Sequence, residues 1–445
     1  MKKTIANWGQ YPCLEADELH FREEEEIAEI IGKSASLIAR GRGRCYGDAS
    51  LGETVVSTTR FNKFISFDRD RGILDCQAGV SLEEVLKLVV PAGWFLPVTP
   101  GTKFITVGGA VASDVHGKNH HKEGSFCKWV LDFSLMNSKG EQVLCSREHN
   151  AELFETSCGG MGLTGIITRV RFQLKAIETA YIKQTQLKAA NLKEVFQLFE
   201  QYRDVTYTVA WIDCLQSGDS LGRSILMLGE HAQAEELPRK LQQAPLQLSD
   251  KLKLSVPFNF PSFTLNSYSI KAFNFAYYHK LRKQQQSSIA SYDSFFYPLD
   301  FVHHWNRMYG PKGFVQYQFV LPLHNSYEGL TTILQRISKK GMGSFLAVLK
   351  LFGPQEQGLI SFPMEGYTLA LDFPVCDGLF PFLDELDELV HELGGRIYLS
   401  KDARMKSSMF FRGYPGAVDF IRSLESFDPD HKFVSLQRKR LAIPA

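Results

Sequence analysis

The sequence predicts an α+β protein of two domains, and three observations lead to this prediction. A chain of 445 residues is longer than one ordinary hydrophobic core organises. The first third alternates short apolar segments with glycine-rich loops, a pattern typical of strands joined by tight turns. From about residue 180, longer alternating segments are joined to amphipathic stretches, which indicates an antiparallel sheet covered by helices on one face.

The first elements in chain order are a helix, a strand and a glycine loop. The stretch REEEEIAEIIGK carries glutamates at the positive end of the helix dipole and an apolar stripe at Ile27, Ile30 and Ile31, so it predicts a short helix. The following ASLIAR predicts a strand that ends in the loop GRGRCYG. ETVVSTT and GILDCQAG predict two more strands, and SLEEVLKLVV predicts a helix opened by a Ser81/Glu84 capping box.

The second part of the chain combines long strands with amphipathic helices. FVQYQFVLPL and YTLALDFPV alternate as strands do, while SYEGLTTILQRISKKG and PFLDELDELVHELGG have helical periodicity. Between residues 255 and 297, phenylalanines and tyrosines including Phe263 lie beside Lys271, Lys280, Arg282 and Lys283. Aromatic residues interleaved with cations suit a membrane–water interface, and a buried lid or a partner interface explains the same composition.

Bulk composition excludes several classes of function. Fifty Lys and Arg against forty-nine Asp and Glu give a net charge of +1, which provides no chain-wide attraction for nucleic acid. No apolar run is long enough to span a bilayer, and the first residues lack the pattern of a secretory signal, so we expect a cytoplasmic protein. Eight cysteines occur without any C-x-x-C pair, which speaks against a zinc ribbon and a disulfide framework.

Glycine-rich loops are the strongest candidates for a binding site. GRGRCYG is followed by a predicted strand, whereas a dinucleotide-binding fingerprint must open a helix. Its backbone amides can form an anion nest, and the alternative is a tight turn between strands. TPGTKFITVGGAVASDVHG and CGGMGLTGI repeat the pattern, which indicates a flat ligand lying against bare backbone.

Three histidines follow the central glycine loop, at His116, His120 and His121. A zinc site is poorly supported, because the sequence lacks a helical H-x-x-x-H pair with a glutamate, and Gly117 predicts a loop. A structural histidine is the common outcome for any one of them. A histidine held near a redox cofactor is the sharper alternative, and we predict no bound metal.

The motifs together resemble a known family. RGRGRCYGDAS, PVTPGTKFITVGGAVASDVHGKNHHKEGSF, GGMGLTGII, WNRMYGPKGFVQYQFV, LKLFGP and YLSKDAR, in this order, resemble the decaprenylphosphoryl-β-D-ribose 2′-oxidases. That family belongs to the vanillyl-alcohol oxidase (p-cresol methylhydroxylase-type) FAD superfamily. The resemblance covers essentially the whole chain and implies a two-domain vanillyl-alcohol-oxidase-like fold. It implies an FAD-binding domain in residues 1–180, a substrate domain in 181–395 and a C-terminal segment, 396–445, that returns to the FAD domain.

The resemblance also implies how FAD is held. The glycine loops would wrap its pyrophosphate and pass beneath the isoalloxazine ring. The implied contacts are Gly41, Arg42, Gly43, Arg44, Cys45, Tyr46, Gly47, Thr102, Gly108, Gly109, Ser113, His116, Gly117, Asn119, Gly165, Ile167 and Tyr398. Members with covalent FAD often carry a histidine where this chain has Cys45 and Tyr46, so we expect noncovalent FAD.

Oxidation of a secondary alcohol needs a group that receives the hydroxyl proton. Lys401 is the catalytic candidate together with His116 near the flavin, and the alternative for Lys401 is a salt bridge to Asp402 or Asp372. Gln316 and Gln318 lie two residues apart in a strand and face the same way, so both amides suit the hydroxyls of a furanose. The remaining predicted substrate contacts are Lys350 for a phosphate, Phe352, Tyr297, Trp211 and Asp372.

The implied activity is the oxidation of the 2′-hydroxyl of a polyprenylphosphoryl-β-D-ribose to a ketone. A separate short-chain reductase would complete the epimerisation to the arabinose form, and peripheral contact with the inner face of the membrane is part of the expectation. The alternatives are a soluble aldonolactone or alditol oxidase that acts on a free sugar, and a catalytically idle flavin-bound scaffold. Ala370 stands where the mycobacterial members have cysteine, so we expect no thiol at that position beside the flavin.

Overall fold

The computed structural model describes residues 2–248, 254–261 and 264–445, so Phe263 lies outside the described residues. The first part contains mixed sheets and short helices. Its strands are β1 (Lys2–Ala6), β2 (Cys13–His20), β3 (Ile38–Arg40), β4 (Thr54–Ser57), β5 (Phe64–Asp68), β6 (Ile73–Gln77), β7 (Trp94–Phe95), β8 (Val130–Met136), β9 (Gln142–Ser146), β10 (Ile166–Gln173) and β11 (Lys175–Ala176). Its helices are α1 (Glu24–Lys33), α2 (Leu82–Val89), α3 (Val107–Ala112), α4 (His120–Glu123) and α5 (Ala151–Ser157).

These strands pair as β1-β2-β4-β3, as β5-β6-β10-β8-β9 and as the ribbon β7-β11. The pairs β2/β4 and β3/β4 are parallel, and the other pairs in these sheets are antiparallel. The predicted α2 is confirmed with its capping box, in which Ser81 Oγ accepts a hydrogen bond from the Glu84 amide. The loop GRGRCYG connects β3 to β4 without a helix, as the sequence predicts.

The second part is built on one antiparallel sheet. Its strands are β12 (Tyr181–Ala189), β13 (Tyr207–Ile212), β14 (Ser224–His231), β15 (Leu254–Ser255), β16 (Gln285–Ser291), β17 (Val302–His303), β18 (Phe314–Pro322), β19 (Ala347–Phe352), β20 (Gly366–Pro374) and β21 (Arg396–Ile397). Its helices are α6 (Leu192–Gln201), α7 (Arg239–Gln242), α8 (Ser267–His279), α9 (Tyr292–Phe296), α10 (Leu323–Lys340), α11 (Leu379–Glu392), α12 (Ser407–Gly413), α13 (Ala417–Phe427) and α14 (Leu436–Arg440). In the described residues the large antiparallel sheet has the order β16-β12-β14-β13-β19-β20-β18-β21, while β15 and β17 form a separate parallel pair.

Helices α6, α10 and α11 cover one face of this sheet. Ile333 and Leu334 of α10 are fully buried in the same core as Phe319 of β18 and Leu369 of β20. Because side chains alternate along a strand, the neighbouring Gln318 of β18 lies on the opposite face. That opposite face is turned toward the glycine loops of the first part.

The C-terminal residues pass back to the first part of the chain. Phe433 forms a parallel bridge with Leu37, and helix α13 packs against α5. Arg440 pairs with Asp48, the residue after the first glycine loop, at 2.8 Å, and with Asp402 at 2.8 Å. The domain boundaries at residues 180 and 395 stay a prediction, although these contacts carry the last helix to the glycine loops. None of the helices in residues 2–248, 254–261 and 264–445 has the length and apolar character required to cross a membrane.

Candidate active site

A cavity of about 550 Å³ separates the three glycine loops from the bare face of the large sheet. This volume lies in the range of sites for cofactors and small ligands. Gly41, Gly108 and Gly162 line it from the first part of the chain, while Gln318 and Lys350 line it from the sheet. The site therefore forms where the two parts of the fold meet.

The glycine loops present bare backbone to the cavity. Thr106 caps helix α3, because its Oγ1 accepts a hydrogen bond from the Gly109 amide at 3.2 Å. A Cβ added at Gly109 would meet only Thr106 Oγ1, at 3.0 Å, and one at Gly162 would meet nothing closer than Ile38 Cδ1, at 4.0 Å. Gly43 has a φ of +59°, which glycine adopts without strain. A flat ligand can therefore approach these loops closely.

The cavity is strongly cationic. Among the described residues, its charged lining groups are Arg40, Arg42, Arg44, Lys118, Lys280, Lys350 and Lys401, with Asp300 as the single carboxylate. Arg44 also stacks on Trp8, with its guanidinium carbon 3.9 Å from the ring centre. Such a lining favours anionic ligands such as phosphates and diphosphates.

Gln318 and His116 form a hydrogen-bonded pair in the wall of the cavity. The Thr368 hydroxyl donates to the Phe319 carbonyl oxygen at 2.8 Å and accepts from Gln318 Nε2 at 3.2 Å. Gln318 Nε2 also lies 3.2 Å from His116 Nε2, which assigns the proton of this imidazole to Nδ1. Burial holds the pKa of His116 well below its usual value. His116 Nδ1 is buried without a partner, so a neutral imidazole keeps a donor for a ligand.

Gln316 is fixed from behind by a buried carboxylate. Its Nε2 donates to Asp372 Oδ1 at 2.6 Å, and the Tyr309 hydroxyl donates to Asp372 Oδ2 at 3.3 Å. Burial raises the pKa of Asp372, whereas the hydrogen bond from Gln316 and the charge of Lys401 lower it. Because the amide nitrogen is held by Asp372, the carbonyl oxygen of Gln316 remains as the acceptor.

Lys401 lies against the first glycine loop. The Tyr46 amide donates to the Ser400 carbonyl oxygen at 3.0 Å, and Lys401 Nζ lies 3.9 Å from the centre of the Tyr46 ring. Burial lowers the pKa of Lys401, and the nearby Asp372 carboxylate opposes this shift. The alternative partner, Asp402, is engaged by Arg440. A buried amine with a lowered pKa can receive a proton near neutral pH.

Two further lysines line the cavity near Lys401. Burial and the charge of Lys401 lower the pKa of Lys350 to about 7. Lys118 Nζ donates to the carbonyl oxygens of Phe295 and Phe296 at 2.9 Å and 3.0 Å, and burial with the charge of Lys350 lowers its pKa to about 7. An anion placed between these cations would relieve their mutual repulsion.

Most of the residues predicted from the sequence line this cavity. Those that do are Gly41, Arg42, Gly43, Arg44, Cys45, Tyr46, Thr102, Gly108, Gly109, Ser113, His116, Gly117, Gly165, Ile167, Trp211, Gln316, Gln318, Lys350, Tyr398 and Lys401. Gly47, Asn119, Tyr297, Phe352 and Asp372 are not among its lining residues. The direct ligand contacts predicted for these five remain predictions.

The five residues outside the lining support the residues that form it. Asn119 donates to the Pro97 carbonyl oxygen at 2.8 Å, and the Tyr297 hydroxyl bonds to Thr99 at 2.6 Å. The Phe352 ring packs edge-on against His116, with ring centres 4.7 Å apart. Gly47 lies too close to the Asp402 backbone to admit a side chain. Asp372 holds Gln316, as described above.

Sequence reasoning missed several lining residues, including Lys118, Asp300, Met227 and Tyr277. Lys118 could have been predicted, because it lies two residues after His116 in the same loop. Nothing in the sequence distinguishes Met227, since an apolar residue in a strand usually belongs to the core. No group of three or more His, Cys, Asp or Glu side chains in the described residues is arranged to hold a metal ion.

Comparison with known proteins identifies the family. Residues 19–146 match the model of the FAD binding domain family. A decaprenylphosphoryl-β-D-ribose oxidase of Mycolicibacterium smegmatis is 36% identical over 451 residues, which cover 99% of this chain and 98% of the relative. The chain belongs to the decaprenylphosphoryl-β-D-ribose oxidase family. The oxidase is thus an FAD-dependent oxidoreductase of the vanillyl-alcohol oxidase superfamily.

Two other relatives show how far the similarity extends. An uncharacterized protein from the mprA 5′ region of Streptomyces coelicolor is 31% identical over 373 residues, covering 82% of this chain and all of that protein. Cytokinin dehydrogenase 2 of Arabidopsis thaliana is 33% identical over 145 residues, covering 32% of this chain and 29% of that protein. The similarity to this dehydrogenase therefore covers about a third of the chain.

The residues that line the cavity fit FAD. The bare glycine loops allow close approach of a dinucleotide, and Arg40, Arg42 and Arg44 supply charge for its diphosphate. His116 Nδ1 offers a buried donor without a partner. The Tyr398 hydroxyl donates to the Ser113 carbonyl oxygen at 3.2 Å and so joins the C-terminal segment to the same loop.

Proposed function

We propose that this oxidase converts the 2′-hydroxyl of a polyprenylphosphoryl-β-D-ribose to a ketone. The observation that carries the proposal is the arrangement of Lys401, Gln316, Gln318 and Lys350 around the part of the cavity that faces the glycine loops. FAD, when bound, supplies a flavin ring that accepts the hydride lost from the carbinol carbon. We assign the flavin to residues 1–180 and 396–445, and the substrate to residues 181–395.

Lys401 receives the hydroxyl proton in the proposed reaction. As the carbinol C–H bond breaks, the O–H bond also breaks, and its proton passes to the neutral amine of Lys401. The burial that lowers the pKa of Lys401 makes the neutral amine accessible near physiological pH. The protonated amine then returns the proton to solvent before the next turnover.

The sheet residues orient the sugar and its phosphate. The carbonyl oxygens of Gln316 and Gln318 remain as acceptors after their amide nitrogens are engaged by Asp372, Thr368 and His116. They suit the donor hydroxyls of a furanose. Lys350, two strands away on the same face, supplies the charge for the phosphate.

The test is anaerobic addition of a polyprenylphosphoryl-ribose to the flavin-loaded protein, followed by its visible absorption. We expect the flavin band to bleach in proportion to the ketone formed. Bleaching by a free aldonolactone or alditol, without bleaching by the phosphoryl-ribose, would transfer the assignment to a soluble sugar oxidase. Bound flavin that no such alcohol reduces would indicate an idle scaffold.

We also propose that the oxidase works at the cytoplasmic face of the membrane, touching it through helix α8. Tyr268 and Phe275 of this helix are 84% and 58% exposed. The exposed cations Arg282 and Lys283 follow directly. Exposed aromatic rings beside cations suit a bilayer interface with anionic lipid.

Cosedimentation with vesicles of phosphatidylcholine and phosphatidylglycerol tests this contact. The double variant Tyr268→Ser with Phe275→Ser should remain in the supernatant while wild type sediments. Val418→Ser, which changes another 61% exposed apolar residue, is the matched control and should sediment. Equal sedimentation of all three proteins would contradict the contact.

To complete an epimerisation, a hydride must be added to the ketone carbon on the face of the sugar ring opposite to the face that lost the hydride. We assign this step to a separate short-chain reductase that uses a nicotinamide cofactor. Wild-type oxidase with such a reductase should yield the arabinose epimer, detected by chromatography of the released sugar. Recovery of ribose alone would contradict this assignment.

A further inference from the structure

The cavity has an arm that the oxidation step does not use. The lining residues of the cavity extend across the large sheet from β18 to β12 and include Tyr277 of helix α8. The apolar lining of the arm is formed by Val209 and Trp211 of β13, Met227 of β14, Leu346 before β19 and Tyr277 of α8. The sugar site and this arm are parts of one continuous cavity.

Strand pairing sets the order of the side chains along the cavity. Gln318 of β18 pairs with Ala370 of β20, Ala370 pairs with Val348 of β19, and Val348 pairs with Trp211 of β13. Directly paired residues lie on the same face of a sheet. One row therefore leads from the amide that faces the sugar site to the tryptophan of the arm.

A second row of side chains, next to the first on the same face of the sheet, contains Lys350. Lys350 lies two residues beyond Val348 on β19 and so on the same face. On the adjoining strands β13 and β14, Val209 pairs with Met227. From β18 to β14, the cavity wall thus changes from amides, through one cation, to apolar side chains.

Apart from Lys280, the arm between β13 and α8 is lined by apolar and aromatic side chains. The Trp211 indole N–H donates to the Phe345 carbonyl oxygen at 3.1 Å, so its polar atom is satisfied. The Tyr277 ring lies against Trp211, with ring centres 4.6 Å apart. Lys280 Nζ lies over the Tyr277 ring, 3.4 Å from its centre. The exposed side of α8 begins beside this lysine.

The far side of the arm is polar. Gln186 of β12 pairs with Met227 and lines the cavity together with Gln184. A hydrocarbon chain that followed the sheet beyond β14 would have to desolvate these amides, which costs free energy without a compensating hydrogen bond. The apolar route therefore turns outward past the packed rings of Trp211 and Tyr277, on the side of helix α8.

We propose that this arm holds the first isoprene units of the lipid and leads the chain out beside helix α8. The inference rests on the proposed function, because a polyprenylphosphoryl-ribose carries its sugar, phosphate and hydrocarbon in the order in which the wall offers amides, a cation and apolar rings. The arm selects for an isoprenoid ester over a free sugar phosphate.

Binding of isoprenyl monophosphates tests the arm without any oxidation. Calorimetry on the flavin-loaded, full-length protein would compare phosphates that carry one, two and four isoprene units. Burial of the added hydrocarbon predicts at least about a tenfold fall in Kd from one unit to four. Met227→Lys should remove this length dependence, because the longer chains would then have to pass a buried charge.

Two further variants keep the test decisive. Tyr277→Glu places a charge on the opposite wall and should remove the length dependence even if Met227→Lys does not fold. Met342→Lys changes a half-buried methionine outside the cavity and should retain it.

The outcomes separate the arm from the reaction. Length-dependent binding that both arm variants abolish supports the arm, even if no phosphoryl-ribose bleaches the flavin. A Kd independent of chain length in wild type, or a length dependence that survives in both arm variants, would overturn it. If the arm is overturned in this way but a polyprenylphosphoryl-ribose still bleaches the flavin, the proposed oxidation is retained.

Discussion

Lys401 Nζ lies 3.9 Å from the centre of the Tyr46 ring, so a residue near the C-terminus contacts the first glycine loop. If Lys401 receives the substrate proton, Lys401→Ala should lower kcat about 100-fold or more, the usual contribution of a general base. Stopped-flow bleaching measures this rate. Lys406→Ala removes an exposed lysine that pairs with Asp384 and should change it less than about twofold. Equal rates in wild type and Lys401→Ala would refute the assignment.

The acid limb of the pH–rate profile should report Lys401. If Lys401 receives the proton, activity requires its neutral amine, and the rate should rise as pH passes through its lowered pKa. The Asp372 carboxylate raises that pKa, and Asp372→Asn should therefore move the limb to lower pH. Asp384→Asn, at a carboxylate bonded to Arg404 and Lys406, is the control. A limb that stays in place or moves to higher pH in Asp372→Asn would contradict the coupling.

FAD should be held without a covalent bond. Cys45 Sγ lies 3.3 Å from Ser50 Oγ, and burial raises the pKa of the thiol, which makes it a poor nucleophile. Acid precipitation should release the flavin absorption into the supernatant. Flavin that stays with the pellet, and with a peptide containing Cys45 after proteolysis, would disprove noncovalent binding.

The His231 imidazole, whose two ring nitrogens are buried without a hydrogen-bond partner, should make the fold sensitive to acid. Burial lowers its pKa to about 3, and its ring packs between Phe95 and Tyr207. The unfolded state takes up a proton below its ordinary pKa, about 6.5, whereas the folded state does not, so stability falls as the pH drops below that value. His231→Phe should lose less free energy of unfolding between pH 7 and pH 4, by about 3 kcal/mol. Urea titrations at both pH values measure this difference, and parallel losses would contradict it.

Ala370 determines whether the cavity offers a reactive thiol beside the sugar site. It lines the cavity between its strand partners Gln318 and Val348. Wild type should keep its activity in a maleimide reagent, whereas Ala370→Cys should be inactivated and substrate should protect it. Equal inactivation of both proteins would show that another cysteine governs the sensitivity, and Cys45 would be the next position to change.

The glycine loops and the sheet face were predictable because their chemistry is local. GRGRCYG leads into a strand, which excludes a helix-opening fingerprint, and the two-residue spacing of Gln316 and Gln318 puts both on one face. Both features appear as predicted, and Gln318 is only 3% exposed. Lys401 was identified through the family resemblance, since a lone lysine near a chain end has no local signature.

The remaining site residues depend on packing across long stretches of sequence. Asp372 is predicted from the sequence as a substrate contact, and only the pairing of β18 with β20 shows that it lies behind Gln316. Met227 is typical of a core strand position, and Tyr277 belongs to the aromatic segment 255–297. Only the packing of α8 against β13 brings both to the cavity. Sequence periodicity assigns a residue to a face, but it does not say what that face meets.

Arg440 joins Asp48 to Asp402 and so ties together segments separated by hundreds of residues. Lys401 and this arginine leave the ribosome hundreds of residues after the first glycine loop. A nascent chain therefore carries that loop without the lysine and the arginine that contact it until both have been added. The final arrangement of the loop has to follow the synthesis of residue 440.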